Sequence, residues 1–313
     1  MYTDVCKRSC AVGHSVASQC CLAVNVNNYT IFGKMPQKRL KFTMADNDII
    51  IKDTRDFDIR QTLDCGQIFR YSKIGENSYE VFSKDKRCVV TQEGVAVISS
   101  DDAAYWHRFF DLDNDYGAIK NALRDKPFMK DAVEYGGGIR ILNQDPFEML
   151  ISFIVSANNH IPRIKGILSR MCEGLGEKMD GYYAFPTPEA MAAKDADYYA
   201  SIGAGYRAEY LSETSKAVAD GFDLSKPCYM DGDAANKYLC TLKGVGPKVA
   251  DCILLFAYHK SDVFPVDTWI KKVYADMTGN DATNKEIRKY LISTYGNLSG
   301  YAQQYLFFNK RDN

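Results

Sequence analysis

The chain has 313 residues, enough for two domains with real cores, and its 46% hydrophobic and 25% charged residues are ordinary for a soluble globular protein. No apolar run approaches the ~20 residues that span a bilayer, the longest being Cys252 to Tyr258, and Met1–Ser18 lacks the continuous apolar stretch of a signal peptide. A formal charge of −1 excludes a uniformly basic protein, but a polyanion partner needs only a local basic face.

Residues 1–43 show no hydrophobic periodicity and close on a basic patch, Lys34–Lys41. They read as a poorly ordered extension ahead of Met44. From Ile49 to Ser99 the pattern turns to short β-rich runs: Ile49–Ile51, Ile68–Tyr71, Tyr79–Phe82, Cys88–Thr91 and Val95–Ile98. Gly75-Glu-Asn77 and Glu93-Gly94 punctuate them as hairpin turns, which predicts an antiparallel sheet. Helices are predicted over Asp101–Phe109 and Asp115–Lys126, the second stopped by Pro127.

After Gly136-Gly-Gly138 the chain reads as helical almost throughout. Asp145-Pro146 opens a helix with apolar residues at Phe147, Leu150, Ile151 and Ile154. Further helices follow at Ile161–Cys172, Ala234–Thr241, Pro247–Tyr258, Asn284–Tyr295 and Tyr301–Asn309. The predicted fold is α+β: an N-terminal antiparallel β-sheet domain with helices, over 44–138, then an all-α domain over 139–313.

Ten cysteines are present, four of them in the first 21 residues, but no Cys-x-x-Cys pair and no clustered quartet. Neither a zinc nor an iron–sulfur site is therefore expected, and the thiols read as reduced.

The chemistry concentrates in Leu242-Lys-Gly-Val-Gly-Pro-Lys248. Gly244 and Gly246 flank Val245 in a tight turn between two helices, where glycine permits positive φ and close approach of another chain. The second helix's first amides lack intrahelical partners, and its dipole favours an anion such as a DNA phosphate. Lys248 stands in that first turn, where a cation is electrostatically misplaced. That field and partial burial favour the neutral amine of a nucleophile, although a plain phosphate contact would use the same residue. Cys252 lies one turn on, on the same face. Asp267 precedes Thr268-Trp-Ile as a helix N-cap, and a carboxylate there can also stabilise cationic charge or move protons.

The glycine hairpin, its lysine and the downstream aspartate resemble the helix-hairpin-helix glycosylase superfamily, in its bifunctional glycosylase/lyase branch. There the lysine attacks C1′ of a damaged nucleotide, the base leaves, a Schiff base forms and β-elimination cuts the strand. The resemblance places these roles on Lys248 and Asp267. Endonuclease III-like members carry four clustered cysteines after this region, whereas Asp267–Asn313 contains none.

Four further segments resemble the 8-oxoguanine DNA glycosylase family. Ser156-Ala-Asn-Asn-His-Ile-Pro-Arg163 implies that Asn158 and Arg163 fill the gap left by the flipped nucleotide and read the orphaned cytosine. Gly203-Ala-Gly-Tyr-Arg207 implies that Tyr206 wedges into the base stack and Arg207 contacts the cytosine. Cys65-Gly-Gln-Ile-Phe-Arg70 puts on Gly66 the carbonyl that accepts the N7–H of oxidised guanine. Ala302-Gln-Gln-Tyr-Leu-Phe307 implies a base pocket with Gln303 at the base edge and Phe307 stacked on it, lined also by Phe256 and Cys252. The backbone contacts fall on Gly244, Val245, Gly246 and Trp269. At Trp269 the chain departs from the family, which often has histidine there.

The resemblance covers about residues 49–309. It implies base excision repair of 8-oxoguanine paired with cytosine, without metal or cofactor, by a monomer on double-stranded DNA in a bacterial-type cytoplasm at the nucleoid. A non-enzymatic helix-hairpin-helix binding module and a glycosylase/lyase for another oxidised base are the competing readings.

Overall fold

The computed structural model describes residues 40–45 and 47–313. Six antiparallel strands form one sheet in the order β1-β2-β6-β5-β4-β3. They are β1 (Phe42–Ala45), β2 (Asp48–Ile51), β3 (Tyr71–Lys73), β4 (Ser78–Ser83), β5 (Lys86–Glu93) and β6 (Val95–Ser100). Registers Ile49↔Ile98, Val90↔Ile98, Tyr79↔Val90 and Val81↔Cys88 set the buried side chains in rows on one face. This is the period-2 burial that the sequence alternation predicts.

Two expectations are corrected in this region. Phe42 and Thr43, assigned to the extension, pair with Ile51 and Ile50 in β1; the rest of the extension, up to residue 39, lies outside the described residues. The run Ile68–Tyr71 is a strand only from Tyr71. Ile68 and Phe69 are both buried, so consecutive side chains point inward and the pleat is broken. The Arg70 carbonyl still accepts from the Phe82 amide at 3.1 Å, while its side chain reaches away from the sheet to Glu148 Oε1 at 3.1 Å and the Tyr183 carbonyl at 2.8 Å.

A short helix, α1 (Ile59–Asp64), lies between β2 and β3, with Asp58 accepting from the Gln61 amide. The helices that follow are α2 (Ala103–Phe109), α3 (Tyr116–Arg124), α4 (Met129–Tyr135), α5 (Pro146–Ser156) and α6 (Ile161–Leu175). Then come α7 (Pro188–Ala192), α8 (Ala196–Ser201), α9 (Ala208–Ala219), α10 (Gly232–Leu239) and α11 (Pro247–Tyr258). The chain closes on α12 (Thr268–Thr278), α13 (Asn284–Tyr295) and α14 (Ser299–Asp312). Side-chain caps at Asp102, Asp115, Asp145, Asp195, Asp231, Asp267 and Thr283 satisfy first-turn amides, which explains why these helices start where they do.

The buried side chains form two clusters. One lies under the sheet, around Ile49, Val81, Val90, Ile98, Trp106 and Phe110. The other runs through the helices and includes Tyr116, Ile119, Leu123, Met129 and Val133. Helices α3 and α4, which precede the triple glycine, thus share the core of the helical part. The triple glycine is packed tightly: a Cβ at Gly138 would stand 2.3 Å from Asp58 Cβ and 2.8 Å from its amide nitrogen. Its amide and carbonyl bond Gln61 Oε1 and the Asp58 amide, both at 2.8 Å.

Candidate active site

The hairpin joins α10 to α11. Gly244 has φ +77°, and a Cβ there would meet Tyr210 Cβ at 2.7 Å, so both backbone and packing require glycine. Gly246 does not use positive φ: it is the extended N-cap of α11, at φ −93°, ψ 173°, with no side-chain cap. An added Cβ at Gly246 would meet nothing within 4 Å, which leaves the first turn open to an approaching backbone. The Val245 amide is already used, donating to the Leu242 carbonyl at 3.2 Å. The amides of Gly246 and of the first helical turn are what the hairpin offers to an anion.

Lys248 projects from that turn onto an aromatic bed. Its Nζ lies 5.6 Å from the centroid of Phe153, and Phe153 stacks on Phe256 at 5.6 Å with the rings 16° apart. Burial pushes the Cys252 thiol up to about 11, while the neighbouring Lys248 pulls it down. Cys252 is therefore a neutral thiol at physiological pH. Asp267 caps α12, its Oδ1 accepting from Trp269 N at 3.0 Å and Ile270 N at 2.9 Å. Burial raises the Asp267 carboxyl above its ordinary range, against the pull of the capped amides and of Lys248. The amine thus lies over an apolar floor, and its charge acts on both the thiol and the carboxyl. Trp269 sits in the first turn of α12 with Lys272 Nζ 4.3 Å above its ring.

A second group surrounds the Cys65–Gln67 turn. Gly66 has φ +81°, and its Cβ position is 3.3 Å from Phe307 Cε1, so the turn lies against that ring. Gln303 is 5% exposed, and its Oε1 is buried without a protein hydrogen-bond partner. An orphaned buried carbonyl oxygen is costly unless a ligand donor meets it. Gln144 links the two groups: its amide donates to the Phe256 carbonyl at 2.9 Å and its side chain to the Gln67 carbonyl at 2.8 Å.

The third group forms where the α5–α6 turn meets the turn before α9. Asn158 is left-handed at φ +49°, and Arg163 Nη2 donates to the Gly203 carbonyl at 3.1 Å. Tyr206 is 57% exposed, its hydroxyl on the Ala157 carbonyl at 3.1 Å. Arg207 is 1% exposed and lies beneath it, guanidinium carbon 4.3 Å from the Tyr206 ring centroid. Its nitrogens donate to the carbonyls of Ala157, Asn158 and Ala204. Arg207 thus braces Tyr206 and the Asn158 turn from inside.

Phe153 and Gln144 are the site residues that sequence reasoning missed. Phe153 shares the helical spacing of its core neighbours, so nothing local marks it. Gln144 stands just before the Asp145 cap, and its partners are remote in the chain.

A positively poised hairpin, a lysine on an aromatic floor and a capping aspartate define a helix-hairpin-helix DNA glycosylase, and the HhH-GPD superfamily of base excision DNA repair proteins matches residues 151–294. The N-terminal domain of 8-oxoguanine DNA glycosylase matches residues 49–150. The chain belongs to the 8-oxoguanine DNA glycosylase family. It is 34% identical over 227 residues to the "Probable N-glycosylase/DNA lyase" of Methanothermobacter thermautotrophicus, covering 64% of this chain and 72% of that protein. It is 32% identical to the N-glycosylase/DNA lyase of Saccharomyces cerevisiae, covering 58% of this chain and 59% of the yeast protein. The fold superposes on the Clostridium acetobutylicum 8-oxoguanine glycosylase/lyase, solved with duplex DNA carrying cytosine opposite 8-oxoguanine. The TM-score is 0.83 at 36% identity, over 89% of this chain and 99% of that one. Among the described residues no helix is long and apolar enough to cross a membrane.

Proposed function

We propose that this chain is a bifunctional DNA N-glycosylase/AP lyase that excises 8-oxoguanine paired with cytosine from duplex DNA, acting as a cytoplasmic monomer without metal or iron–sulfur cluster. The hairpin amides and Trp269 hold the backbone, Tyr206 fills the stack, and Asn158 and Arg163 attend the orphaned cytosine. Arg207, expected to contact that cytosine, is buried on the Ala157, Asn158 and Ala204 carbonyls and instead supports the Asn158 turn. The flipped base enters between Gly66, Gln303 and Phe307.

Lys248 Nζ, as the neutral amine, attacks C1′ while the C1′–N9 bond breaks and the base departs with its electron pair. Ring opening gives a Schiff base between Nζ and C1′. Loss of a C2′ proton then expels the 3′ phosphate and cuts the strand. Asp267 faces the developing positive charge, and the aromatic floor keeps water from the amine.

The observation that carries this reading is Lys248 resting on Phe153, its charge acting on the buried Cys252 thiol and on the Asp267 carboxyl. Borohydride trapping on an 8-oxoguanine:cytosine duplex tests it. The protein forms a covalent adduct, and Lys248→Gln abolishes it; a binding module forms none. Excision opposite each of the four bases tests the partner reading, and equal cleavage opposite adenine and cytosine would overturn it.

A further inference from the structure

The turn that carries Gly66 is held from the far end of the chain. Helix α14 places two side chains on consecutive carbonyls: Gln304 Nε2 donates to Cys65 O at 2.6 Å, and Arg311 Nη1 donates to Asp64 O at 2.7 Å. On the other side, Gln67 O accepts from Gln144, while the Gln67 side chain is fixed on the Thr62 and Arg140 carbonyls at 2.9 and 2.7 Å. Among the described residues the Gly66 carbonyl, in the middle of this run, receives no donor.

The peptide planes before and after the Gly66 carbonyl are therefore pinned, and glycine's own freedom is removed by its neighbours rather than by a side chain. Arg311 also lies over the rings that bound the turn, 5.5 Å from Phe307 and 5.1 Å from Phe308. Its Nε and Nη2 grip Asp312 at 2.6 and 3.2 Å, which keeps the guanidinium plane fixed. Gln303, Gln304, Phe307 and Arg311 all stand on α14, so base edge, stacking ring and carbonyl are registered to one rigid element.

We propose that Gln304 and Arg311 are positioning residues for lesion specificity: they aim the Gly66 carbonyl at a base that carries an N7–H donor. This deepens the function proposed above and rests on it. A hydrogen bond of this kind discriminates only when its acceptor is pre-aimed, because a mobile carbonyl turns to water and is no longer held against a base that lacks the donor.

The test compares wild type with Gln304→Met and Arg311→Met on two duplexes, one holding 8-oxoguanine and one an abasic site, each opposite cytosine. Strand cleavage at the abasic site uses Lys248 and the hairpin but needs no base, so it reports on everything except recognition. Each variant is expected to lose about five- to tenfold in 8-oxoguanine excision, the effect of one hydrogen bond, with abasic-site cleavage within about twofold of wild type. Unchanged excision overturns the inference, and so does a parallel fall in both activities, which marks a merely structural role. Asp64 is exposed, so in Arg311→Met its carbonyl can turn to water and the fold is retained. Failure of wild type to excise 8-oxoguanine would overturn the function proposed above; excision by wild type that both variants match overturns only the positioning role.

Discussion

Gly66 and Phe307 touch: the position a Gly66 side chain would occupy is 3.3 Å from Phe307 Cε1, on a backbone at φ +81°. Two residues far apart in the chain thereby meet at one wall of the proposed base pocket. Gly66→Ala adds a methyl against the ring and strains the left-handed backbone, at a cost of about 1 kcal/mol for the conformation alone. Excision of 8-oxoguanine is expected to fall at least about tenfold, by single-turnover kinetics, while cleavage at a preformed abasic site is retained.

Asp267 combines a structural cap with a raised carboxyl, and the two can be separated. Because its folded-state pKa lies above the unfolded one, folding favours the protonated form. The stability cost is absent below the unfolded value, develops as pH rises through the folded value, and is complete above it. Asp267→Asn keeps an oxygen for the Trp269 and Ile270 amides and removes the charge. Its melting temperature is expected to equal or exceed wild type at pH 7, with the difference shrinking on acidification towards pH 3. Glycosylase activity falls at least about a hundredfold. A lower melting temperature at pH 7 would show that the charge itself stabilises the fold.

Tyr206 is exposed and contributes little to the core. Tyr206→Ala is expected to shift stability by less than about 1 kcal/mol, yet to slow excision from fully paired duplex about ten- to a hundredfold. Unstacking costs a few kcal/mol, which an aromatic wedge offsets. The defect should shrink when the lesion lies in an unpaired bubble, where there is less stacking to replace. Equal defects on both substrates would argue against a wedge.

Arg70 and Glu148 join the sheet to α5 by a buried pair at 3.1 Å, with the second carboxylate oxygen on the Lys84 amide at 2.8 Å. Burial already raises the Glu148 carboxyl against the pull of Arg70. Arg70→Met leaves this carboxylate unpaired and is expected to destabilise by about 3–5 kcal/mol in urea unfolding. Replacing both partners, as Arg70→Met with Glu148→Gln, should recover part of that loss.

Much of the helical part could be read in advance. Helices α11 and α13 span the residues predicted for them, Pro247–Tyr258 and Asn284–Tyr295, because proline at the first position and a threonine–glutamate capping box are local signals. The six-residue α1 was not foreseen: it is too short for a periodic pattern, and its Asp58 cap resembles any turn aspartate. Gly244 and Gly246 both permit positive φ, but only Gly244 uses it; Gly246 is an extended cap, because the helix start needs β-region backbone there.

Taken alone, the sequence determined the local elements of the chemistry: a lysine in the first turn after a glycine hairpin and an aspartate at the next helix start. These are local patterns, set by backbone freedom, capping and charge within a few positions. Tertiary structure decided how they meet. It laid Lys248 on Phe153, turned Arg207 inward under Tyr206, and brought Gln304 to the Cys65 carbonyl across 239 positions of chain. No local pattern encodes such contacts, because each depends on how two separately formed elements pack.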